Sequence, residues 1–307
     1  MMEDNTLSEG IITKGVGGTY TVRRDDEERI LCQIRGGIRK SGVVPAVGDR
    51  VKVSESGDPD IPYVIDDILP RSNYLIRPAV ANIDCLILTF AVQDPVPDLT
   101  LTDKLIIICS SLGIRVALLF TKCDLDPEKA KELTDIYRKA GFDVFVSSKD
   151  ALFGPDDLVR ISPSGIAAFA GPSGVGKSTI CNNILENDIM QTGSVSDRLK
   201  RGKHTTRHVE LFDTKTGFIT DTPGFTSLSL FDIGTDYREV VSGYPEILKS
   251  AQRCRFDDCR HISETGCAVL EDLAEGIIDR GRYERYKDEY EYLYENRNNY
   301  KRRIRPV

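Results

Sequence analysis

Apolar and polar residues alternate in short runs between Gly10 and about Leu69, at Thr19 to Val22, Arg29 to Ile34, Asp49 to Val53 and Tyr63 to Ile65. Turn signals at Gly36-Gly37, Pro45 and Gly57-Asp58-Pro59 separate them. A period of two broken by glycine and proline predicts a small antiparallel β-barrel or sandwich of about five strands. From Asn82 the pattern changes to wholly apolar runs, Cys85 to Phe90, Val116 to Phe120, Val144 to Val146, Ile166 to Ala170 and Phe218 to Thr220. Helical stretches beginning at Leu99, Pro127 and Lys177 lie among them, so a mostly parallel sheet flanked by helices is expected. After about Ser242 the chain carries Cys and His, and from Glu271 it is charged and Tyr-rich, which predicts a third, mostly helical piece. Tyr283, Tyr286, Tyr290 and Tyr294 recur at three- and four-residue steps, the spacing of a packed helix face rather than of a base-stacking platform.

The 307 residues exceed what one hydrophobic core usually holds, and the pattern divides them into residues 1–75, 76–241 and 242–307. The longest apolar runs, such as Leu105 to Cys109, are too short to span a bilayer, and the N-terminus is acidic and polar. No membrane role and a cytoplasmic location are therefore expected. Eight cysteines in such a chain point to reduced thiols or metal ligands, and Cys32, Cys85, Cys109, Cys123 and Cys181 read as small buried hydrophobes. A net charge of −7 means that any binding of nucleic acid must rest on local basic patches.

Four strand ends carry chemistry. Gly171-Pro172-Ser173-Gly174-Val175-Gly176-Lys177-Ser178-Thr179 fits G-x-x-x-x-G-K-[ST] between a strand and a helix. Its amides would cradle phosphates at a helix N-terminus, Lys177 would reach the β- and γ-phosphates, and the Ser178 hydroxyl would ligate Mg²⁺. Asp221-Thr222-Pro223-Gly224 places a carboxylate at the end of the next strand, where it would hold Mg²⁺ through water, with the Gly224 N–H toward the γ-phosphate. Thr121-Lys122-Cys123-Asp124 offers a carboxylate that can accept from guanine N1–H and N2–H₂, donors that adenine lacks there. The other reading of Asp124 is a helix N-cap before Pro127. Ser147-Ser148-Lys149 ends the following strand and could give a backbone N–H to guanine O6.

Together the four motifs resemble those of the translation-factor-like GTPases, with the base-reading pair placed before the phosphate loop. That order is the order of a circularly permuted GTPase. Two positions depart from the usual pattern. Thr121 stands where most such enzymes have an Asn that braces the base loop, and Phe225 follows Asp-Thr-Pro-Gly where many have a water-orienting Gln. His204, in Gly202-Lys203-His204-Thr205-Thr206-Arg207, is the replacement candidate for positioning water. Ser178, Thr206 and Asp221 form the expected magnesium set, with Thr205 the alternative to Thr206. Because D-x-x-G now lies just before the third domain, nucleotide state could move that domain directly.

Cys254-x4-Cys259-x-His261-x5-Cys267 gathers three thiols and an imidazole, a set suited to one tetrahedral zinc. The neighbouring Arg253, Arg255, Asp257, Asp258 and Arg260 cannot build a core around thiols. Barrel, permuted motifs, G-x-H-T-T segment and Cys/His spacing together resemble the bacterial ribosome small-subunit-dependent GTPase A family, from Gly10 through Cys267. The resemblance implies an OB-type barrel, a central circularly permuted P-loop GTPase domain and a C-terminal zinc-binding helical module. It also implies a GTP/GDP switch in late maturation of the small (30S) ribosomal subunit, stimulated by that subunit and bound to 16S rRNA. The chain is expected to act as a monomer. Arg23, Arg24, Arg35, Arg39, Lys40 and the Lys301 to Arg305 cluster are candidate rRNA contacts. The alternatives are an rRNA-binding assembly factor with a structural nucleotide site and an ATP-using P-loop enzyme.

Overall fold

The computed structural model describes residues 7–192 and 209–297. The N-terminal alternation becomes β1 (Ser8–Val16), β2 (Thr19–Arg24), β3 (Arg29–Ile34), β4 (Arg50–Glu55) and β5 (Tyr63–Ile68), a closed barrel in the order β1-β2-β3-β5-β4. Closure is made by β4, which pairs with both β5 and β1, and the alternation turns every second side chain inward. Ile12, Val22, Ile30, Cys32, Val51, Val53 and Ile65 form its buried core. Gly36-Gly37 is not the turn expected there: it opens a short helix, α1 (Gly36–Ser41), which ends at Gly42 in the left-handed conformation.

The remaining chain runs β6 (Tyr74–Ile76), β7 (Ala79–Ala81), β8 (Ile83–Ala91), α2 (Leu99–Ser111), β9 (Arg115–Thr121), α3 (Pro127–Lys139), β10 (Asp143–Val146), α4 (Pro155–Ile161), β11 (Gly165–Ala170), α5 (Lys177–Thr192), β12 (Phe212–Thr214), β13 (Gly217–Asp221), α6 (Pro245–Ala251), α7 (Ala268–Ala274) and α8 (Arg280–Glu295). β6 and β7 form a small hairpin. Six strands make one sheet in the order β10-β9-β8-β11-β13-β12. β10 pairs parallel with β9 and β11 parallel with β13, while β12 is an antiparallel edge. Helix starts are set by caps: Asp98 accepts from the Leu101 N–H at 3.0 Å and Asp126 from the Lys129 N–H at 2.9 Å, the second helped by Pro127 at the first helical position. Among the described residues no helix is long and apolar enough to cross a membrane.

The chain falls into two compact units. The first is Met1–Cys85 with Gly154–Ala170 and Ser178–Phe225, and the second is Leu86–Phe153 with Gly171–Lys177 and Thr226–Val307. The barrel therefore shares a unit with β12 and β13, and the C-terminal helices share one with α2, β9 and α3.

Candidate nucleotide site and metal centre

In the second unit the loop that follows β9 and the glycine-rich loop are bonded to each other. Thr121 is buried at the end of β9, and its hydroxyl donates to the Val175 carbonyl of the phosphate loop at 2.6 Å. A hydroxyl has one proton, so this short bond takes it and the Phe90 carbonyl at 3.4 Å receives little. Thr121 thus supplies one arm of the bracing that an asparagine makes with two. Lys122 sits at φ 55°, a left-handed conformation that sends its side chain toward the Asp94 carbonyl. The Cys123 N–H donates to Ser147 O at 3.1 Å and the Ser147 N–H to Phe120 O at 2.8 Å, joining the two loops. The Ser147 hydroxyl accepts from the Phe153 N–H at 3.1 Å, and Ser148 closes a turn with Ala151.

Asp124 does not cap α3, since Asp126 does. The exposed Asp124 carboxylate accepts from the Lys149 N–H at 3.0 Å, which ties the loop after β9 to the loop after β10.

The phosphate loop is built by its glycines. Gly171 has φ 150°, and a Cβ there would meet Thr89 O at 2.0 Å, so no larger residue fits behind the loop. Gly174 and Gly176 also have positive φ, and a Cβ at either would meet nothing within 4 Å, which leaves the loop's mouth open. Pro172 and Ser173 form the turn before it, and buried Val175 pins the loop from below. The Lys177 ammonium bends back onto Gly171 O at 2.8 Å and Pro172 O at 2.9 Å, a cation held at the start of α5.

In the first unit, Ser178 and Thr179 are exposed on the first turn of α5. Asp221 ends β13 opposite Phe169 in the parallel register. The Thr222 hydroxyl and N–H both donate to Phe169 O at 2.9 Å, clipping Asp-Thr-Pro-Gly onto the neighbouring strand. Gly224 turns at φ 81°, and Phe225 is fully buried, so its ring serves packing and has no access to water. Ser178 and Asp221 offer hard oxygen donors suited to magnesium. His204, Thr205 and Thr206 lie outside the described residues.

Cys254, Cys259, His261 and Cys267 come together in the second unit, their donor atoms all within 4.8 Å of one another. Cys254 Sγ is 3.9 Å from Cys267 Sγ, and His261 Nδ1 lies 3.6 and 3.5 Å from these two sulfurs. A tetrahedral ion with metal–sulfur bonds of about 2.3 Å and metal–nitrogen bonds of about 2.0 Å requires separations of about 3.8 and 3.5 Å. The cluster therefore fits a four-coordinate metal ion. Burial lowers the His261 pKa, which keeps the imidazole neutral as a ligand must be. Burial pushes the Cys259 thiol up to about 12, with the neighbouring Cys267 and Cys254 adding to the rise. The tyrosine stripe of α8 supports this loop: Tyr283 OH donates to His261 O at 2.8 Å and Tyr286 OH to Arg260 O at 2.9 Å. Tyr290 stacks on Tyr294, and Tyr237 meets both edge-on.

One cluster escaped the sequence reading. Arg282 of α8, fully buried, pairs with Asp103 of α2 at 2.6 Å and with Glu246 of α6 at 2.8 Å, and donates to Gly243 O at 3.1 Å. Arg285 and Tyr137 OH also bond to Asp103, at 2.5 and 2.8 Å. The Arg282 guanidinium stands over the rings of Tyr137, Phe142 and Tyr244. Burial works against its charge, but Asp103 and Glu246 outweigh that and raise its pKa. The signal was Asp103 itself, the one carboxylate of α2, two residues before its apolar run, which burial obliges to find a partner.

The barrel arginines are engaged by carboxylates of the chain: Arg23 by Glu27 and Asp213, Arg24 by Asp26 and Glu28, Arg35 by Asp66. The Lys301 to Arg305 cluster lies outside the described residues.

A closed barrel, followed by a sheet whose base-reading loops precede its phosphate loop in the chain, defines a circularly permuted GTPase. The chain belongs to the RsgA GTPase family, whose model matches residues 68–231, while the RsgA N-terminal domain model matches residues 9–60. It is 46% identical over 287 residues to the small ribosomal subunit biogenesis GTPase RsgA of Ruminiclostridium cellulolyticum, covering 92% of this chain and 93% of that one. The protein of the same name from Clostridium perfringens strain 13 is 40% identical over 294 residues, 95% of this chain and 100% of the other. Among solved structures, YjeQ from Thermotoga maritima superposes with a TM-score of 0.78 at 30% identity, covering 94% of this chain and 99% of its own. YloQ, described as a circularly permuted GTPase, superposes with a TM-score of 0.76 at 30% identity, covering 99% of each chain.

Proposed function

We propose that this chain hydrolyses GTP to GDP and phosphate as a switch in late maturation of the small (30S) ribosomal subunit, bound to its 16S rRNA. The observation that supports the nucleotide reading is the bonded set of Thr121 on Val175 and Asp124 on Lys149, which ties the loop that carries Asp124 to the glycine-rich loop. The family supports the ribosomal part, since its curated members are named for biogenesis of that subunit. In this reading residues 1–75, 76–241 and 242–307 are the barrel, GTPase and metal-binding domains of a cytoplasmic monomer.

Lys122, Cys123, Ser147 and Ser148 would frame guanine, with Asp124 accepting from its N1–H and N2–H₂. The amides of Gly171 to Gly176 and of Ser178 and Thr179 would hold the phosphates, and Lys177 would leave its loop carbonyls for the β- and γ-oxygens. Ser178, Thr206 and Asp221 would hold magnesium, which neutralises charge developing on the phosphate oxygens. Thr206, or Thr205 in its place, would sense the γ-phosphate with Gly224, and His204 would orient the attacking water, because buried Phe225 cannot. His204→Ala is expected to lower subunit-stimulated kcat by roughly 10² to 10⁴ with GDP affinity unchanged. Single-turnover phosphate release beside GDP titration measures both, and an unaltered kcat would remove His204 from this role.

The metal is proposed to be one zinc per chain, held by Cys254, Cys259, His261 and Cys267. Cys259→Ser should leave less than one equivalent of zinc after dialysis and open the 254–267 loop to protease, while nucleotide affinity stays. Metal analysis and limited proteolysis provide the check. Full zinc retention would mean that Cys259 is not a ligand.

A further inference from the structure

The loop that carries the metal ligands of the second unit turns around one carboxylate. Glu264 lies between His261 and Cys267 in the chain, and its side chain is only 18% exposed. Its Oε2 accepts from the Ile262 N–H at 2.9 Å and from the Ser263 N–H at 3.0 Å. Its Oε1 accepts from the Arg260 N–H at 3.2 Å and from Arg260 Nε at 3.1 Å. The backbone amides on both sides of His261 thus close on a side chain rather than on a helix or sheet. Hydrogen bonds to an ionised acceptor are roughly twice as strong as neutral ones.

His261, enclosed by these amides, has φ 60°, a conformation that costs a residue with a β-carbon free energy and persists only where its surroundings impose it. The Tyr283 hydroxyl donates to the His261 carbonyl at 2.8 Å and the Tyr286 hydroxyl to the Arg260 carbonyl at 2.9 Å. Glu264 therefore takes the donors of this turn while α8 takes its acceptors. The backbone angle matters because His261 faces Cys254 and Cys267 through Nδ1, at 3.6 and 3.5 Å. Only one ring atom separates Nδ1 from Cβ, so an ion bound there lies close to the main chain and its position follows the backbone. The arms that carry Cys254 and Cys267 are joined separately, by the Arg255 N–H donating to Gly266 O at 3.1 Å.

We propose that Glu264 is a positioning residue of the metal centre: its carboxylate imposes the left-handed turn that presents His261 Nδ1 to the ion. The proposal rests on the zinc reading above. All four bonds to Glu264 are made within residues 260–264 and use no ligand atom, so the turn forms before metal binds. A ligand already held in place gives up less conformational entropy on binding, which tightens the complex and slows release.

The test uses the full chain with Glu264→Ala and, separately, Glu264→Gln. Three quantities are read: the rate at which bound zinc passes to excess chelator, the visible absorption of the cobalt(II)-loaded chain, and amide hydrogen exchange at Ile262 and Ser263 in the metal-free chain. Glu264→Ala is expected to release zinc roughly ten- to a hundredfold faster than the parent, the usual consequence of losing a group that orients a metal ligand. Glutamine keeps one oxygen acceptor, so Glu264→Gln should fall between the two. In both variants the cobalt bands should weaken as the imidazole leaves the tetrahedral set, and both amides should exchange faster. Parent-like zinc release would overturn the assignment, as would equal losses in the two variants, which is the result of charge alone. Unaltered exchange at Ile262 and Ser263 would overturn it too, and so would a lowered melting temperature with unchanged cobalt bands. If the parent takes up no metal, the zinc reading fails by itself, and exchange in the metal-free chain still decides whether Glu264 holds the turn.

Discussion

Asp124→Asn should exchange the base that this chain prefers. Guanine presents N1–H and N2–H₂ along its edge, and the Asp124 carboxylate, held by the Lys149 N–H at 3.0 Å, can accept from both. A site built to accept such donors rejects an analogue lacking them by roughly 10⁴. Asparagine keeps one acceptor, so the bond from Lys149 and the loop survive, but its NH₂ now faces the guanine N2 amino group. GTP affinity is expected to fall by a factor on the order of 10³ to 10⁴. Xanthosine triphosphate, which carries a carbonyl at that position, should become the better ligand. Competition titration with GTP, ATP and XTP reads the change, and retained preference for GTP would remove Asp124 from base recognition.

Arg282→Ala should destabilise the second unit by about 3–5 kcal/mol, the usual consequence of removing one partner from a buried ion pair. Asp103 would keep Arg285 and Tyr137, but Glu246, with a side chain 9% exposed, would lose both arms of its guanidinium partner. Burial already raises the Glu246 pKa, opposed by Arg282, so without that arginine it rises further. The sign follows from linkage. A carboxyl whose folded pKa is raised costs stability above its unfolded pKa, and the cost disappears as falling pH protonates it in both states. The deficit of Arg282→Ala relative to the parent should thus be largest near neutral pH and shrink toward the ordinary glutamate range. Denaturant melts at pH 7 and pH 5 distinguish this from a pH-independent packing loss.

The same network alters the view of the C-terminal module. The motif order placed D-x-x-G just before that module and suggested that nucleotide state moves it directly. Arg282 and Arg285 instead tie α8 to Asp103 of α2 and Glu246 of α6, and Lys139 of α3 donates to Gly276 O. These bonds fix the module to α2 and α3, the helices on either side of β9 in the chain. Within the first unit the barrel is paired with the chain around Glu210 and Asp213, through Lys14 and Arg29.

Legibility in the sequence tracked local signals. The starts of α2, α3 and α5 at Leu99, Pro127 and Lys177 were readable because caps, a first-position proline and the glycine-rich loop are local chemistry. The metal cluster was readable because four donors lie close in the chain. Gly36-Gly37 misled, since two glycines read as a turn while the helix they open is held by what surrounds it. β6, β7 and β12 are three residues each, too short for a period to register. Asp124 offered a cap in the sequence, but two residues on Asp126 makes that bond, a choice between neighbouring carboxylates that no pattern decides. Lys14, Arg29 and Asp213 meet only in the fold, as do Asp103, Glu246 and Arg282, and no pattern within one element announces either cluster.

The central claim is a guanine-specific hydrolase whose partner is the small ribosomal subunit. Phosphate release from GTP and from ATP, with and without purified small subunits, tests it most directly. A subunit-dependent GTPase releases phosphate slowly from GTP alone, far faster with the subunit, and hardly at all from ATP in either case. Equal turnover of ATP, or GTP turnover indifferent to the subunit, would contradict it.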